Sequence, residues 1–426
     1  MNFFTHPYFL VLLVFVLGYL AIIFEYPLRV NKTAISLLIA VLCWTLYFFR
    51  SLFPIKEDLL ILNRHVSEIS QIIFFLMGAM TLVELIDSHQ GFKIITDLIH
   101  AKTKVKMLAI VTLFAFLLSA VLDNLTTTIL MVSIVRKLIP YQKERFLFSC
   151  MIVIAANAGG AWTPIGDVTT TMLWIGGEIT TLRVMRSLFL PSLVSILIPL
   201  GIFSFQLKKS ANFEEKTTPS SAKLEHGART VLILGLLALL CVPLFKALTG
   251  LPPFMGILIS LAVLWLLTDF LHYGVEKRKH LRIPHVLTKI DTASILFFLG
   301  ILLSVAALES AGILHDLAGL LNTHVKNLPL IATLLGILSA VIDNVPLVAA
   351  SMGMYHFPSD DSFWHMIAYA AGTGGSIFII GSSSGVALMG MEKIDFVSYM
   401  KKATLPVLAG YLIGIAAYLI FTKVFV

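Results

Sequence analysis

Long apolar stretches alternate along this chain with short polar ones. A helix needs roughly 20 residues to cross a hydrocarbon core about 30 Å thick. On that ruler simple spans fall near residues 8–24, 33–53, 69–87, 188–207, 229–248, 253–272, 291–310 and 402–424. Four further apolar stretches are interrupted. Residues 106–136 and 327–357 each carry an Asp-Asn pair near the middle, and residues 145–176 and 364–391 are broken by Gly, Pro, Asn or Ser clusters. The first two predict re-entrant helical hairpins and the other two predict interrupted transmembrane helices. The whole predicts an all-α polytopic membrane protein.

The same features occur twice in the same order. LSAVLDNLT at 118–126 returns as LSAVIDNVP at 338–346, AANAGG at 155–160 as AAGTGG at 370–375, and FFL at 74–76 as FFL at 297–299. The one real polar linker, 208–228, lies near the chain centre. A duplication follows, with a first repeat over 1–207 and a second over 229–426. If each hairpin returns on its own side, each repeat makes about five crossings. Five is odd, so the repeats are inverted. With both termini outside and the linker cytoplasmic, 23 of the 31 lysines and arginines lie inside and 8 outside, as the positive-inside rule asks. Treating 106–136 as one long span weakens the split to 20 against 11. From Asp123 to Arg136 is 13 residues, which reach only about 20 Å in a helix. The first tip therefore stops within the membrane, reached from the cytoplasm, and by inversion the second tip is reached from outside.

Composition narrows the classes. Hydrophobic residues make up 58% and charged residues 13%, against about 25% charged in soluble domains. That excludes a water-soluble globule, a coiled coil and a collagenous rod. The net charge of +7 is not a nucleic-acid signal, because basic residues beside spans orient them. The three cysteines sit in apolar runs with no disulfide or metal-ligand spacing. The run Phe9–Phe24 has no basic region before it and reads as a first span rather than a cleavable leader.

The chemistry concentrates at the four breaks. Non-helical backbone at membrane depth must be buried in protein or line a water-filled cavity, and broken helices in inverted repeats point to a transport site near the midplane. The first tip holds Asp123, Asn124 and Thr126, and the second holds Asp343, Asn344 and Pro346. The first interrupted span holds Asn157, Asp167, Thr169 and Thr170; the second holds Ser376, Ser382, Ser383 and Ser384. No Lys, Arg or His falls in these patches. Three acids without a basic companion repel an anion, and hard monovalent cations take oxygen ligands. A buried carboxyl binds a proton or a metal ion in competition, which suffices for antiport. Blander roles stand beside these: Asn124, Asn344 or the aspartates as helix caps, the Gly pairs as close packing, and the hydroxyls as partners of their own backbone. Glu84 and Glu309 hold matching places and are candidates for the access routes. His65, His89, His100, His315, His324 and His356 are expected mostly in loops, where they could tune a pH response. Gly381–Gly385 reads GSSSG and fits G-x-S-x-G, but the strand-turn-helix context that motif needs is missing, so no enzyme is expected.

SAVLDNLTTT (119–128), AANAGGAWTPIGDVTTT (155–171), SAVIDNVP (339–346) and GTGGSIFIIGSSSG (372–385) together resemble the NhaD-type sodium/proton antiporters, over nearly the whole chain. That family sits in the ion transporter superfamily with arsenite permeases and sodium-coupled dicarboxylate carriers. The resemblance implies a bacterial inner-membrane protein exchanging Na⁺ or Li⁺ for H⁺, and a homodimer with scaffold and transport domains. It implies functional roles for Asp123, Asn124, Asn157, Asp167, Thr169, Thr170, Ser339, Asp343, Asn344 and the Ser382–Ser384 cluster, with Na⁺ at Asp123, Asn124, Asp343 and Asn344, and no cofactor. In the dicarboxylate relatives the tips carry Ser where this chain has Asp, which argues for cations alone. The alternatives are an anion, arsenite or dicarboxylate carrier of the same architecture, and a passive ion channel.

Overall fold

A computed structural model describes residues 7–24, 28–96, 101, 103–139, 142–208, 225–394 and 396–425. Most of the predicted linker lies outside them. The described residues form helices and no strands. In chain order the principal helices are α1 (Phe9–Ile23), α2 (Lys32–Arg50), α3 (Ile55–Ser88), α4 (Lys104–Ser119), α5 (Asn124–Leu138), α6 (Gln142–Ala161), α7 (Val168–Ile175) and α8 (Thr181–Lys208). After the linker come α9 (Ala228–Thr249), α10 (Pro253–Leu271), α11 (Thr292–Ser310), α12 (Leu328–Leu338), α13 (Asn344–Met354), α14 (Ser362–Gly374), α15 (Ser383–Glu392) and α16 (Thr404–Phe425). Shorter helices fill some of the connections. Seven helices, α2, α3, α8, α9, α10, α11 and α16, are long and apolar enough to cross a membrane.

The predicted spans match these helices within a few residues, except that α8 begins seven residues before the span expected at 188–207 and that one other span is much longer. The span expected at 69–87 extends back to Ile55 as α3, 34 residues long. That is about 51 Å, well beyond the hydrocarbon core. Its first half carries Lys56, Glu57, Asp58, Arg64 and Glu68, which hide it from a hydropathy reading. The segment is helical because Pro54 starts it and Arg64 pairs with Glu68 one turn on, at 3.1 Å.

The four breaks fall where polar residues interrupt the apolar runs. Chain reversals near Asp123 and Asp343 separate α4 from α5 and α12 from α13, while α6 stops before α7 and α14 before α15. Glycines let the broken pieces close on each other. A Cβ on Gly159 would collide with the Phe116 carbonyl, and one on Gly374 with the Gly336 carbonyl. The Gly pairs are therefore close-packing residues. Helices α1, α2, α3, α9, α10 and α11 pack as one group, and α4–α8 with α12–α16 as another; the two meet along α11 with α13 and α3 with α7.

Candidate functional site

Four helix N-termini face one another at the breaks, and each is capped by the residue before it. The Asp123 carboxylate caps α5: Oδ1 accepts from the Thr126 N–H at 2.8 Å, and Oδ2 accepts from the Thr126 hydroxyl at 2.5 Å. Asp167 caps α7 through the Thr169 N–H at 3.2 Å. Asp343 caps α13 through the Val345 N–H at 3.1 Å. Ser382 caps α15 through the Gly385 N–H at 3.3 Å. The capping role suggested for Asn124 and Asn344 thus belongs to the aspartates, whose acceptor-only oxygens suit orphan N–H groups and the positive helix end.

Freed from capping, the asparagines build the centre. The second oxygen of Asp167 accepts from Asn124 Nδ2 at 3.2 Å and from Asn344 Nδ2 at 3.3 Å. One residue of each tip thereby meets at one carboxylate. Asn124 also donates to Asn157 Oδ1 at 3.0 Å. Asn157 in turn donates to Ser376 at 2.8 Å and Ser382 at 2.9 Å, and accepts from Ser384 at 2.7 Å. Asn124, Asn157, Asp167, Asn344, Ser376, Ser382 and Ser384 are all buried. The result is a fully enclosed carboxylate–amide–hydroxyl network, in which each amide orientation is fixed by its partners. Beside it lies a cavity with about 50 Å³ of room for water, enough for several molecules. Asp123, Asn124, Asp167, Thr171, Ser294 and Ser383 supply its polar lining, and no Lys, Arg or His lines it.

Residues 19–357 match the family model CitMHS, described as citrate transporter. The chain belongs to that family. Over 96% of its length it is 52% identical to "Sodium/proton antiporter 1" of Arabidopsis thaliana, of which the match covers 71%. It is 50% identical to "Sodium/proton antiporter 2" of the same plant over 98% of that protein. It is 31% identical to the "Na(+)/H(+) antiporter NhaD" of Vibrio cholerae over 96% of this chain and 91% of the relative. The resemblance read from the four motifs is borne out, and this CitMHS member is a transporter rather than an enzyme.

Within this CitMHS site the other predicted residues hold separate places. Thr126 is spent on Asp123. The Thr170 hydroxyl bonds the Asp167 carbonyl at 2.9 Å, and Ser339 bonds the Ala371 carbonyl at 3.0 Å, so both brace backbone. Thr169 is different. Its hydroxyl is buried without a partner among the described residues. Ser383 lines the cavity while its neighbours Ser382 and Ser384 join the network. Glu84 lies 3.8 Å from Lys289 at the end of α3, and Glu309 sits beside Gly353 of α13; neither lines the cavity.

One expectation is corrected. The histidines are not mostly in loops. His65 lies within α3 and His315 and His324 in a short helix, whereas His89 and His356 do lie outside helices; His100 lies outside the described residues. Ser376 and Ser384 were visible as hydroxyls in the interrupted span, but only the geometry of Asn157 distinguishes them from their neighbours.

Proposed function

We propose that this protein is a secondary transporter exchanging Na⁺ or Li⁺ for H⁺ by alternating access. The observation that carries the reading is the Asp167 carboxylate, held by amides from both tips beside a cavity lined with acids and hydroxyls and no base. Asp167 and Asp123 bind either the cation or the proton, and Asn124, Asn157, Asn344, Thr169 and Ser383 complete an oxygen shell. Because the two occupants compete for the same carboxylates, one cannot be carried together with the other. Relatives of bacterial and plant source carry the same antiporter name in print, which supports the exchange whichever membrane holds this chain. The bacterial relatives support the inner-membrane location, and the distribution of lysines and arginines along the sequence supports outside termini and a cytoplasmic linker.

The inverted repeat belongs to the same proposal. Its support is the order of elements: a broken hairpin, a broken span and a long helix follow three helices in each half. Rigid movement of the group holding the tips against the other group would expose the site alternately to the two sides, and a homodimer would anchor the second group.

A citrate carrier is the second reading, favoured by the family description and by four helix N-termini, which attract anions. Each N-terminus already has a carboxylate or hydroxyl of this chain, and a tricarboxylate entering the cavity would meet Asp123 and Asp167. The test is proton movement in everted vesicles. Dequenching of a pH-gradient dye on addition of Na⁺ or Li⁺, and none with citrate, is the expected result. Citrate-dependent uptake without a sodium response would overturn the reading. Conductance without coupled proton movement would instead indicate a channel.

A further inference from the structure

Lys246 stands in the last turn of the apolar helix α9. On the proposed topology that end is the outer one, where the positive-inside rule disfavours a lysine. A lysine at a span's end ordinarily turns its ammonium out to the membrane border. Lys246 turns toward the protein instead. Its Nζ donates to the Trp174 carbonyl at 2.8 Å and stands 4.6 Å from the centroid of the Trp174 ring, a cation–π arrangement. Trp174 itself is buried.

The accepting carbonyl lies in the last turn of α7, where the helix dipole favours a cation. The other carbonyls of that turn are served locally. Met172 accepts from the Gly176 N–H at 2.8 Å and Leu173 from the Glu178 N–H at 2.9 Å, while the Gly177 N–H reaches Trp174 only at 3.3 Å. Helix α7 is eight residues long, about 12 Å, and Asp167 caps its other end. The short helix is therefore held at both ends, by the two tip amides at Asp167 and by Lys246 at Trp174. Both helices turn the same faces to the cavity. Thr171 of α7 and Val242 of α9 line it, three residues before Trp174 and four before Lys246, so the bond sits one turn beyond the cavity wall. Phe75 of α3, which also lines the cavity, makes a T-shaped contact with the Trp174 ring at 6.4 Å.

We propose that Lys246 is a positioning residue for the Asp167 carboxylate, holding α7 against the group of α9 in this arrangement and releasing it when the site turns to the other side. The proposal rests on the alternating-access reading above. Helix α9 packs with one group of helices and α7 with the group that carries the tips, so the bond crosses the boundary along which the two would move. A hydrogen bond is lost once its partners separate by about 1 Å. Movement of α7 past α9 breaks this one, and it stabilises only the arrangement seen here. A bond from a charged donor shifts the balance between two such arrangements by about tenfold or more. Its loss does not orphan the carbonyl, because the Gly177 N–H remains on Trp174.

The test is access to the cavity from each side, measured on the full chain in right-side-out and everted vesicles. Val242→Cys places a thiol in the cavity wall, and Cys241→Ala removes the exposed natural one; Cys43 and Cys150 are buried, and the Cys241→Ala chain alone gives their background. The label is a membrane-impermeant quaternary-ammonium thiosulfonate. The ratio of labelling rates from the two sides follows the ratio of the two populations, whatever the amount of protein. Lys246→Met, which keeps the apolar stem, should change that ratio by about tenfold or more. Lys246→Arg, which keeps a donor and a cation for the ring, should leave it near the parent's. A lysine that only fills space would lower protein levels in the Met variant and leave the ratio alone, which overturns the proposal. So does an Arg variant that behaves like the Met variant. If the ratio stays fixed while the wild type still moves protons with Na⁺, only the role of Lys246 falls. If the wild type shows no sodium or lithium response, the antiport reading falls, and the labelling ratio still decides the role of Lys246.

Discussion

Asp167 and Thr169 separate two uses of a buried oxygen. Asp167 holds both tips through one oxygen and caps α7 with the other, so its charge and its geometry are both engaged. Asp167→Asn keeps size and replaces an acceptor by a donor aimed at two other donors. Sodium-driven proton movement should drop to background in that variant, because the carboxylate that joins the two tips is lost and the two amides lose their acceptor. Retained exchange in vesicles would remove Asp167 from the ion path. Thr169→Val tests the opposite case. An unpartnered buried hydroxyl contributes nothing favourable to folding, and replacing it by an isosteric methyl is close to neutral or stabilising. Melting of Thr169→Val in detergent should match the wild type within about 1 kcal/mol, while KM for Na⁺ rises several-fold. An unchanged KM would show that Thr169 is only a packing residue.

At the scale of elements, the ends of the broken helices are pinned as firmly as their centres. Glu392 closes α15 with its side chain only 1% exposed. Its two oxygens receive Arg136 at 2.7 Å and Arg145 at 3.0 Å, from the base of the first hairpin and the start of α6. Gln142 donates to its carbonyl. At the other half-helix, Asp360 before α14 accepts from the Thr180 N–H and hydroxyl, each at 2.7 Å, beyond the end of α7. Each short second half-helix is thus tied to the other half of the chain. Glu392→Gln would remove the buried carboxylate charge that Arg136 and Arg145 share, a loss of about 3 kcal/mol. A lowered melting temperature is expected, together with faster proteolysis near residues 139–142. An unchanged melting curve would mean that solvent already compensates Arg145. These elements also show what the sequence can and cannot carry. Break positions were legible because Asp-Asn, Gly and Ser cannot lie in lipid without a reason. The clasp was not, because Glu392 lies at the polar end of an apolar run and its arginines are some 250 residues away. The same holds inside the site. Candidate oxygens were readable from type and place, but the split between Ser383 and Ser384, or between capping Asp and bridging Asn, depends on which way each side chain turns.

For the whole molecule, the long helix α3 couples the cavity to a membrane border. Phe75, Leu76, Ala79, Met80 and Val83 of α3 line the cavity, and just past its end His89 binds His272 at the end of α10, Nε2 to Nε2 at 2.9 Å. The protons in this pair follow from its partners. His89 Nδ1 lies 2.8 Å from the Leu85 carbonyl, which only accepts, so Nδ1 carries a proton and the neutral ring offers Nε2 as acceptor. His272 Nε2 must then donate, leaving His272 Nδ1 as a buried lone pair with no partner among the described residues. An added proton has no good place: on His272 Nδ1 it finds no acceptor, and on His89 Nε2 it confronts another N–H. Burial first, then the charges of His89, Arg278, His226 and Arg282, pull His272 down to about 4, and burial likewise lowers His89. An unfolded histidine titrates near 6.5. Between that pH and about 4 the unfolded chain binds more protons than the folded one, so stability falls as pH drops through this window and is fully present above it. His272→Gln replaces the titrating ring with a neutral donor. In detergent it should lower the melting temperature modestly above pH about 7 and flatten its decline toward acid. Parallel curves for variant and wild type would place the acid sensitivity elsewhere, whereas a flattened one would mean that the hold of α3 on α10, and with it one wall of the cavity, loosens in acid.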